Sequence, residues 1–208
     1  MHNHEKLHIS LSHSGHNETV APFEGLEDRT IWTMFKKGHE GAFNHIYRTY
    51  FDIICDYGFL FTKNEEIIKD CIQDLFVELR SSGPSLSDTD QVKYYLFKCF
   101  RYKVSRELKK RKLLSFMADV SSCFQLDFVV SHESRLVKEQ FDQEVKRKLT
   151  NALNQLPKRQ KEAVYYFYYE DFSYQQLTAI MGLNSVKSAR NLVYKALKKL
   201  RNAPQLSG

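Results

Sequence analysis

Cationic side chains lie close together near the C-terminus, at spacings that would place them on one side of a helix. The segment from Asn184 to Arg201 contains six Lys and Arg residues and no Asp or Glu. Its apolar residues recur with a period near 3.6. The remaining face carries Lys187, Ser188, Arg190, Asn191, Tyr194, Lys195 and Lys198. A basic face of this kind suits contact with DNA, although an ordinary helix with a solvated basic face has the same composition.

The residues before this helix predict a helix-turn-helix. Ser173 is a good N-cap, and Gln176, three residues later, can complete a capping box. Gly182 ends the first helix, because glycine accepts the left-handed conformation found just past helix ends. Asn184 or Ser185 can then cap the second helix. A short helix, a glycine turn and a longer basic helix are typical of a unit whose second helix enters the DNA major groove.

A second basic helix is predicted from Gln91 to Lys112. It contains nine Lys and Arg residues against one Glu. Aromatic residues are interleaved with these cations, namely Tyr94, Tyr95, Phe97 and Tyr102. Exposed rings beside cations suit single-stranded nucleic acid, since bases stack on the rings and phosphates meet the charges. The alternative is that most of the rings belong to the core and the charges are only solvated.

A polar, partly acidic face is predicted on a third helix, which begins after Asn64. The apolar face of this helix comprises Ile68, Cys71, Ile72, Leu75, Phe76 and Leu79. The opposite face carries Asp70, Gln73, Asp74 and Glu78. From Glu27 to Arg80 there are seven basic and ten acidic residues, so this part of the chain has a net charge of −3. The positive charge of the protein is therefore concentrated in the two basic helices.

Composition and periodicity predict an all-α fold with two helical domains. The chain has 208 residues, few Gly and Pro, and a net charge of +6, which favours a polyanionic partner. The expected organisation is a flexible leader (1–24), an N-terminal helical domain (25–112), a linker (113–138), a C-terminal domain (139–203) and a tail (204–208). The C-terminal domain is expected to be a four-helix unit that contains the helix-turn-helix. One of its helices is expected to run from Lys158 to Glu170 and to include the aromatic run YYFYY.

Several classes of function and site have no support in the sequence. The chain lacks a Gly-rich phosphate loop and the HExxH and GxSxG motifs, so neither an enzyme nor a cofactor or metal site is expected. The four cysteines have no CxxC spacing and are predicted to be reduced core thiols of a cytoplasmic protein. The His-rich leader is expected to be polar and mobile, and no apolar run is long enough to span a bilayer.

Two motifs resemble a known family. The segment LPKRQKEAVYYFYYEDFSYQQLTAIMGL at Leu156–Leu183 resembles the start of the C-terminal domain of bacterial sigma factors. The segment DCIQDLFVELR at Asp70–Arg80 resembles the motif with which those proteins bind core RNA polymerase. With two domains and a short linker, the chain is similar to the small extracytoplasmic-function sigma factors of the sigma-70 family. The resemblance covers about Glu27 to Arg201.

The resemblance implies a sigma factor that binds core RNA polymerase, through its β′ and β subunits, and recognises the −35 and −10 promoter elements. The residues implied in polymerase binding are Asp70, Gln73, Asp74 and Glu78. Those implied in recognising and melting the downstream element are Lys93, Tyr94, Lys98, Arg101, Tyr102 and Arg106, with the loop Ser81–Asp90. On the upstream element, Lys187, Ser188 and Asn191 would reach base edges, while Arg190, Lys195 and Lys198 would hold phosphates. The resemblance also implies an anti-sigma factor as a regulatory partner.

The sequence departs from the family pattern at two places. The usual acidic-Gly turn is Glu170-Asp171-Phe172, without a glycine. Asn184 is an apparent extra residue before the recognition helix, which leaves the register of that helix open by about one position.

The alternative function is a stand-alone helix-turn-helix transcriptional regulator, with the N-terminal half serving dimerisation or ligand binding. An RNA-binding accessory protein is a further alternative. The polar face around Asp74 favours the sigma factor, since a self-sufficient regulator needs no such docking face.

Overall fold

The computed structural model describes residues 23–116 and 143–203. These residues form eight α-helices and no strand, so the predicted all-α fold class is confirmed. The helices are α1 (Asp28–Lys36), α2 (Glu40–Gly58), α3 (Glu65–Ser82), α4 (Val92–Phe116), α5 (Gln143–Asn154), α6 (Lys158–Val164), α7 (Tyr174–Ile180) and α8 (Val186–Arg201). Most of the predicted leader, residues 117–138 of the predicted linker and the 204–208 tail lie outside the described residues. Helix α4 continues to Phe116, four residues beyond its predicted end.

Helix starts follow the local caps that the sequence indicates. The Asn64 side chain accepts a hydrogen bond of 3.1 Å from the third residue of α3. At α7, the N–H of Gln176 donates to Ser173 Oγ at 3.3 Å, and the N–H of Ser173 donates to Gln176 Oε1 at 2.7 Å, which completes the capping box. Ser185 Oγ accepts from the N–H of Ser188 at 3.2 Å. Ser185 rather than Asn184 therefore caps α8.

Helices α1–α4 form an N-terminal group around a core of aliphatic and aromatic side chains. The predicted apolar face of α3 is buried from Ile68 to Leu79. Helix α4 buries one residue in every four, namely Val92, Leu96, Phe100, Val104 and Leu108. A carboxylate from α1 caps α4, since the N–H of Val92 donates to Asp28 Oδ2 at 2.8 Å. The basic surface of α4 is thus held on a packed support.

The C-terminal group consists of α5–α8 and differs from the sequence expectation at one helix. A single helix was expected from Lys158 to Glu170, but α6 ends at Val164 and Tyr165–Tyr169 form a π-helical turn. The wider turn places Tyr165 and Tyr166 next to each other in the protein interior. Helix α8 turns a face of small residues, Ala189, Val193 and Ala196, towards α6 and α7. The helix-turn-helix is therefore anchored on its apolar face and leaves the other face outward.

The turn after the π-helical segment shows how the chain compensates for the missing glycine. Asp171 has a φ of +57°, in the left-handed region that glycine would ordinarily fill. Aspartate is one of the few other residues that tolerate this conformation at modest strain. Backbone hydrogen bonding closes the turn, since the N–H of Phe172 donates to the carbonyl oxygen of Tyr166 at 2.9 Å. The departure from the family pattern therefore leaves the entry to α7 intact.

The N-terminal and C-terminal groups meet along α4. The buried side chains of both groups belong to one continuous hydrophobic cluster. Phe97 of α4 contacts Phe172 edge to face at 5.5 Å, and Tyr57 of α2 stacks on Tyr165 at 5.6 Å. These contacts place the π-helical turn against α2 and Phe172, three residues after the turn, against the basic helix α4.

Candidate functional site

A polar face of α3 is open to solvent at the positions predicted to bind a partner. Asp70, Gln73, Asp74 and Glu78 are all exposed, while Cys71, Ile72, Leu75 and Phe76 between them are buried in the core. Their spacing of three and four residues brings them onto one side of the helix. Glu78 differs from the other three, because its carboxylate pairs with Lys103 of α4. Three of the four side chains thus have no ion-pair partner among the described contacts and are available to a basic surface.

One exposed apolar residue on this face was missed by the sequence reasoning. Val77 follows Asp74 by three residues and is 60% exposed. The sequence did hold a signal for this exposure, because Val77 falls outside the i, i+3, i+4 pattern of the buried residues Leu75, Phe76 and Leu79. An apolar side chain flanked by carboxylates is suited to a protein interface more than to DNA.

One stripe of α4 is exposed and carries half of the predicted downstream-DNA residues. Lys98, Tyr102 and Arg106 are separated by four residues each and all face solvent. Tyr102 is 69% exposed, which is unusual for a tyrosine in a packed bundle. An exposed ring between two cations can stack on a base while the cations meet phosphates.

The adjacent stripe of α4 contacts the C-terminal group. Lys93 Nζ lies 2.7 Å from Glu170 Oε2 and donates to the backbone oxygen of Glu170 at 3.2 Å. Tyr94 contacts the ring of Phe172 edge to face at 5.4 Å. Arg101 Nε lies 2.5 Å from Glu162 Oε1. Three of the six predicted downstream-DNA residues are therefore engaged within the protein in this structure.

The ion pair between Arg101 and Glu162 belongs to a buried polar network. Tyr166 Oη donates to Glu162 Oε1 at 3.2 Å and also hydrogen bonds to the hydroxyl of Tyr57. Burial raises the pKa of the Tyr57 and Tyr166 phenols well above 10, so both remain neutral. Burial lowers the pKa of the Arg101 guanidinium, but the hydrogen bonds and charge of Glu162 outweigh this effect and the net shift is upward. The network thus holds a charged pair between two neutral phenols.

The loop between α3 and α4 is tied back to α1. The indole N–H of Trp32 donates to the backbone oxygen of Ser87 at 2.9 Å. Lys36 Nζ lies 2.6 Å from Asp88 Oδ1. These two contacts fix the middle of the predicted Ser81–Asp90 loop beside the N-terminus of α4.

Helix α8 presents most of its predicted DNA-contacting residues to solvent. Lys187, Arg190, Asn191, Lys195 and Lys198 are exposed. Ser188 is half-buried, and its hydroxyl lies 3.0 Å from that of Ser185, so it serves the helix cap. This contact leaves Ser188 less free to reach a base than its neighbours.

Tyr194 is an exposed aromatic residue of α8. The sequence predicts it on the polar face of this helix but assigns it to no site. It is 64% exposed and lies on the same side of α8 as Asn191 and Lys198. An exposed ring amid cations was the available signal. The face of α8 therefore carries an apolar contact group in addition to charges and amides, which could meet a thymine methyl group in a major groove.

Burial keeps the described cysteines protonated. The pKa of the Cys55 thiol is raised to about 12 by burial and the nearby charges of Asp52 and Asp56, and that of Cys71 to about 11, mainly by burial. Cys55, Cys71 and Cys99 are free thiols, and Cys123 lies outside the described residues.

Among residues 23–116 and 143–203, no group of three or more His, Cys, Asp or Glu side chains could hold a metal ion. Over those same ranges, no helix combines the length and apolarity needed to cross a bilayer.

Comparison with known proteins places these surfaces in context. The family described as "Sigma-70, region 4" matches residues 146–200, which run from α5 through most of α8. The RNA polymerase sigma factor SigV of Bacillus subtilis (strain 168) is 24% identical over 143 residues, which are 69% of this chain and 79% of that protein.

Two solved structures share the fold. Sigma factor RpoE of Bartonella quintana, solved in complex with the anti-sigma factor NepR, has a TM-score of 0.62 and 19% identity, and the match covers 80% of this chain and 98% of that one. CnrH, solved in complex with the cytosolic domain of CnrY, has a TM-score of 0.55 and 17% identity over 87% of this chain and 99% of that one.

Proposed function

We propose that the chain is a sigma factor of the sigma-70 family, of the extracytoplasmic-function type, and that it directs core RNA polymerase to promoters through three separate surfaces. The observation that carries this proposal is the coexistence of an exposed acidic face on α3 and a region 4 helix-turn-helix in one chain. Sigma factors are transcription initiation factors, and the polymerase performs the chemistry. The two helical groups, with the segment between them, would be the two domains and the linker expected from the sequence.

The first surface is the exposed face of α3. Asp70, Gln73 and Asp74 would meet a basic surface of core polymerase by charge attraction and hydrogen bonding. Val77 would supply the apolar part of this contact, since desolvated apolar groups at the centre of an interface carry much of its affinity. Glu78 would contribute through its pair with Lys103, which holds α3 and α4 together.

The second surface is the outward face of α8, which would read the upstream −35 element in duplex DNA. The fixed cap at Ser185 places Lys187 in the first turn, where a recognition helix meets base edges. Asn191 and Tyr194 follow on the same face. Arg190, Lys195 and Lys198 would contact phosphates and set the orientation of the helix on the duplex.

The third surface is the basic helix α4, together with the loop before it. Lys98, Tyr102 and Arg106 would hold the opened strand of the downstream −10 element, with the ring stacked on a base and the cations on phosphates. Lys93, Tyr94 and Arg101 would extend this surface when the C-terminal group is displaced. The middle of the Ser81–Asp90 loop is held to α1 by Trp32 and Lys36, which would keep the loop beside α4 to receive an unstacked base.

The regulatory partner would be a protein that covers these surfaces. RpoE was solved with an anti-sigma factor and CnrH with the cytosolic domain of another protein. By analogy, we propose that an anti-sigma factor controls this chain. Its site of action would be the cytoplasm, where core polymerase and promoter DNA are found.

The proposal is tested by the affinity of the full-length protein for bacterial core RNA polymerase. Asp74→Lys should weaken binding by about 2 kcal/mol or more, roughly 30-fold, because it places a cation against a basic partner surface. Asp52→Lys makes the same substitution at an exposed position within α2 and should leave affinity nearly unchanged. Circular dichroism of both variants controls for folding. Equal affinity of the two variants for core polymerase would contradict the proposal that the exposed face of α3 binds it.

The stand-alone regulator predicts a different result in the same experiment. Such a protein would bind duplex DNA tightly by itself and would show no affinity for core polymerase. A sigma factor of this design should bind duplex DNA weakly in isolation, since α8 alone offers few contacts.

A further inference from the structure

The surface of the C-terminal group that covers α4 has a specific composition. It presents two carboxylates, Glu162 and Glu170, on either side of the ring of Phe172. The side chains of Glu162 and Glu170 are only 3% and 6% exposed, which is unusual for glutamate. Their cationic partners, Arg101 and Lys93, both belong to the N-terminal group.

Each element of this surface matches what α4 would receive from single-stranded DNA. The carboxylate of Glu162 takes two hydrogen bonds from the Arg101 guanidinium, at 2.5 and 3.4 Å, as a phosphate would. The carboxylate of Glu170 meets the Lys93 ammonium at 2.7 Å. The Phe172 ring packs on Tyr94 and Phe97 and lies 5.9 Å from Lys93 Nζ, in the place of a base among aromatic rings and cations.

We propose that the surface formed by Glu162, Glu170 and Phe172 is an internal mimic of single-stranded DNA, which occupies one stripe of α4 and competes with the promoter strand. This inference rests on the proposed role of α4 in binding the downstream element. In the free protein the two groups are closed against each other. Binding of the opened strand to Lys93, Tyr94 and Arg101 requires the C-terminal group to leave.

The location of the two carboxylates supports competition over a permanent interface. Burying an ion pair removes both charges from water, and this desolvation cost offsets most of their attraction, so a permanently closed interface gains little from two ion pairs compared with apolar packing. An interface that opens needs groups that are stable in water on both sides when apart. Glu162, Glu170, Lys93 and Arg101 meet this condition, because each becomes hydrated when the groups separate.

The proposal predicts that neutralising the mimic raises the affinity of the free protein for single-stranded DNA. The test variant is Glu162→Gln with Glu170→Gln in the full chain. The probe is a fluorescein-labelled mixed-sequence oligonucleotide of about 20 nucleotides, measured by anisotropy without polymerase. If the open form is about a tenth of the wild-type population, opening the protein should tighten binding by about tenfold. Small-angle X-ray scattering should show a larger radius of gyration for the variant.

The matched control is Glu65→Gln with Glu66→Gln on α3. It adds the same charge to the wild-type value of +6 but leaves the interface unchanged. Its affinity for the oligonucleotide should stay within about twofold of wild type, since surface charge alone acts weakly at physiological salt. A gain in the control equal to that in the test variant would overturn the proposal, because charge alone would then explain the effect.

A second variant covers the case in which glutamine side chains keep the interface closed. Glu170→Lys places an ammonium group beside that of Lys93 and carries the same net charge as the other two variants. An expanded scattering profile with tighter oligonucleotide binding supports the mimic. An expanded, folded protein with wild-type affinity overturns it, as does a wild-type protein that is already expanded.

Failure of the DNA-mimic proposal can be distinguished from failure of the sigma factor proposal. All variants are also assayed for binding to core polymerase, with Asp74→Lys as the negative control. If the test variant binds the oligonucleotide no more tightly than wild type while the protein still binds core polymerase, only the DNA-mimic proposal is contradicted. Failure of the wild-type protein to bind polymerase would contradict the sigma factor proposal, whatever the oligonucleotide shows.

Discussion

The carboxylate of Asp28 connects α1 to the start of α4, and its removal gives a well-defined prediction. Asp28 Oδ2 accepts from the N–H of Val92 at 2.8 Å, and the hydroxyl of Tyr50 approaches Oδ1 at 3.5 Å. The side chain therefore caps α4 from a residue 64 positions earlier in the chain. Since the first turn of α4 carries Lys93 and Tyr94, this cap also supports the proposed DNA surface.

The size of the effect follows from the two hydrogen bonds. Loss of a capping oxygen typically costs about 1 kcal/mol, within a range of roughly 0.5 to 2. The Tyr50 hydroxyl, which is half-buried, would lose its acceptor at a cost of about 1 kcal/mol. We therefore expect Asp28→Ala to lower the free energy of unfolding by about 2 kcal/mol, equivalent to a fall in Tm of about 4–8 °C. Asp28→Asn keeps one acceptor oxygen and should lose about half as much.

The assay is equilibrium unfolding in urea, followed by fluorescence. Trp32 is the only tryptophan of the chain, and its ring centroid lies 5.0 Å from that of Tyr95 on α4. Its emission therefore reports the packing of α1 on α4. The control is Glu27→Ala, which removes the neighbouring acid, an exposed side chain that makes no capping hydrogen bond. Equal losses of stability in Asp28→Ala and Glu27→Ala would refute the assignment of a long-range cap.

The remaining predictions concern a turn, a thiol and a base contact. Asp171→Val should lower stability by about 1–2 kcal/mol in thermal unfolding, since a β-branched residue resists positive φ, whereas Asp171→Gly should not. Cys55 should react with iodoacetamide at pH 8 much more slowly than an exposed thiol, because its pKa is raised from 9.0 to about 12. Rapid labelling of Cys55 in peptide mass spectrometry would contradict this slow reaction. The contribution of the protonated thiol to the free energy of unfolding is present below pH 9 and is lost as the pH rises towards 12. Lys187→Ala should weaken promoter binding of the holoenzyme by about 1–3 kcal/mol, whereas Lys199→Ala, on another face of α8, should have little effect.

Local patterns in the sequence correctly located most helices. The cap at Asn64, the capping box of Ser173 and Gln176 and the positive φ of Gly182 were all readable, because each depends on residues within four positions of one another. The exposed face of α3 was readable for the same reason, since helical periodicity separates its polar and apolar sides. The roles of these faces stay predictions until the binding experiments are done.

Other features could not be derived from local patterns. Periodicity shows that Lys93 and Arg101 share a side of α4, but not whether that side faces solvent or another part of the chain. The π-helical turn at Tyr165–Tyr169 also escaped prediction, because an aromatic run is compatible with a regular helix until tertiary packing selects the wider turn.

The sequence by itself determined the helices, their polar and apolar faces and the helix-turn-helix, since these arise from interactions between residues close together in the chain. Only the tertiary structure decided that Asp28 caps α4 and that Glu162 and Glu170 occupy one stripe of the basic helix. These contacts join residues separated by 61 to 77 positions. At that separation the partner is selected by the packing of the whole core, which no local pattern encodes.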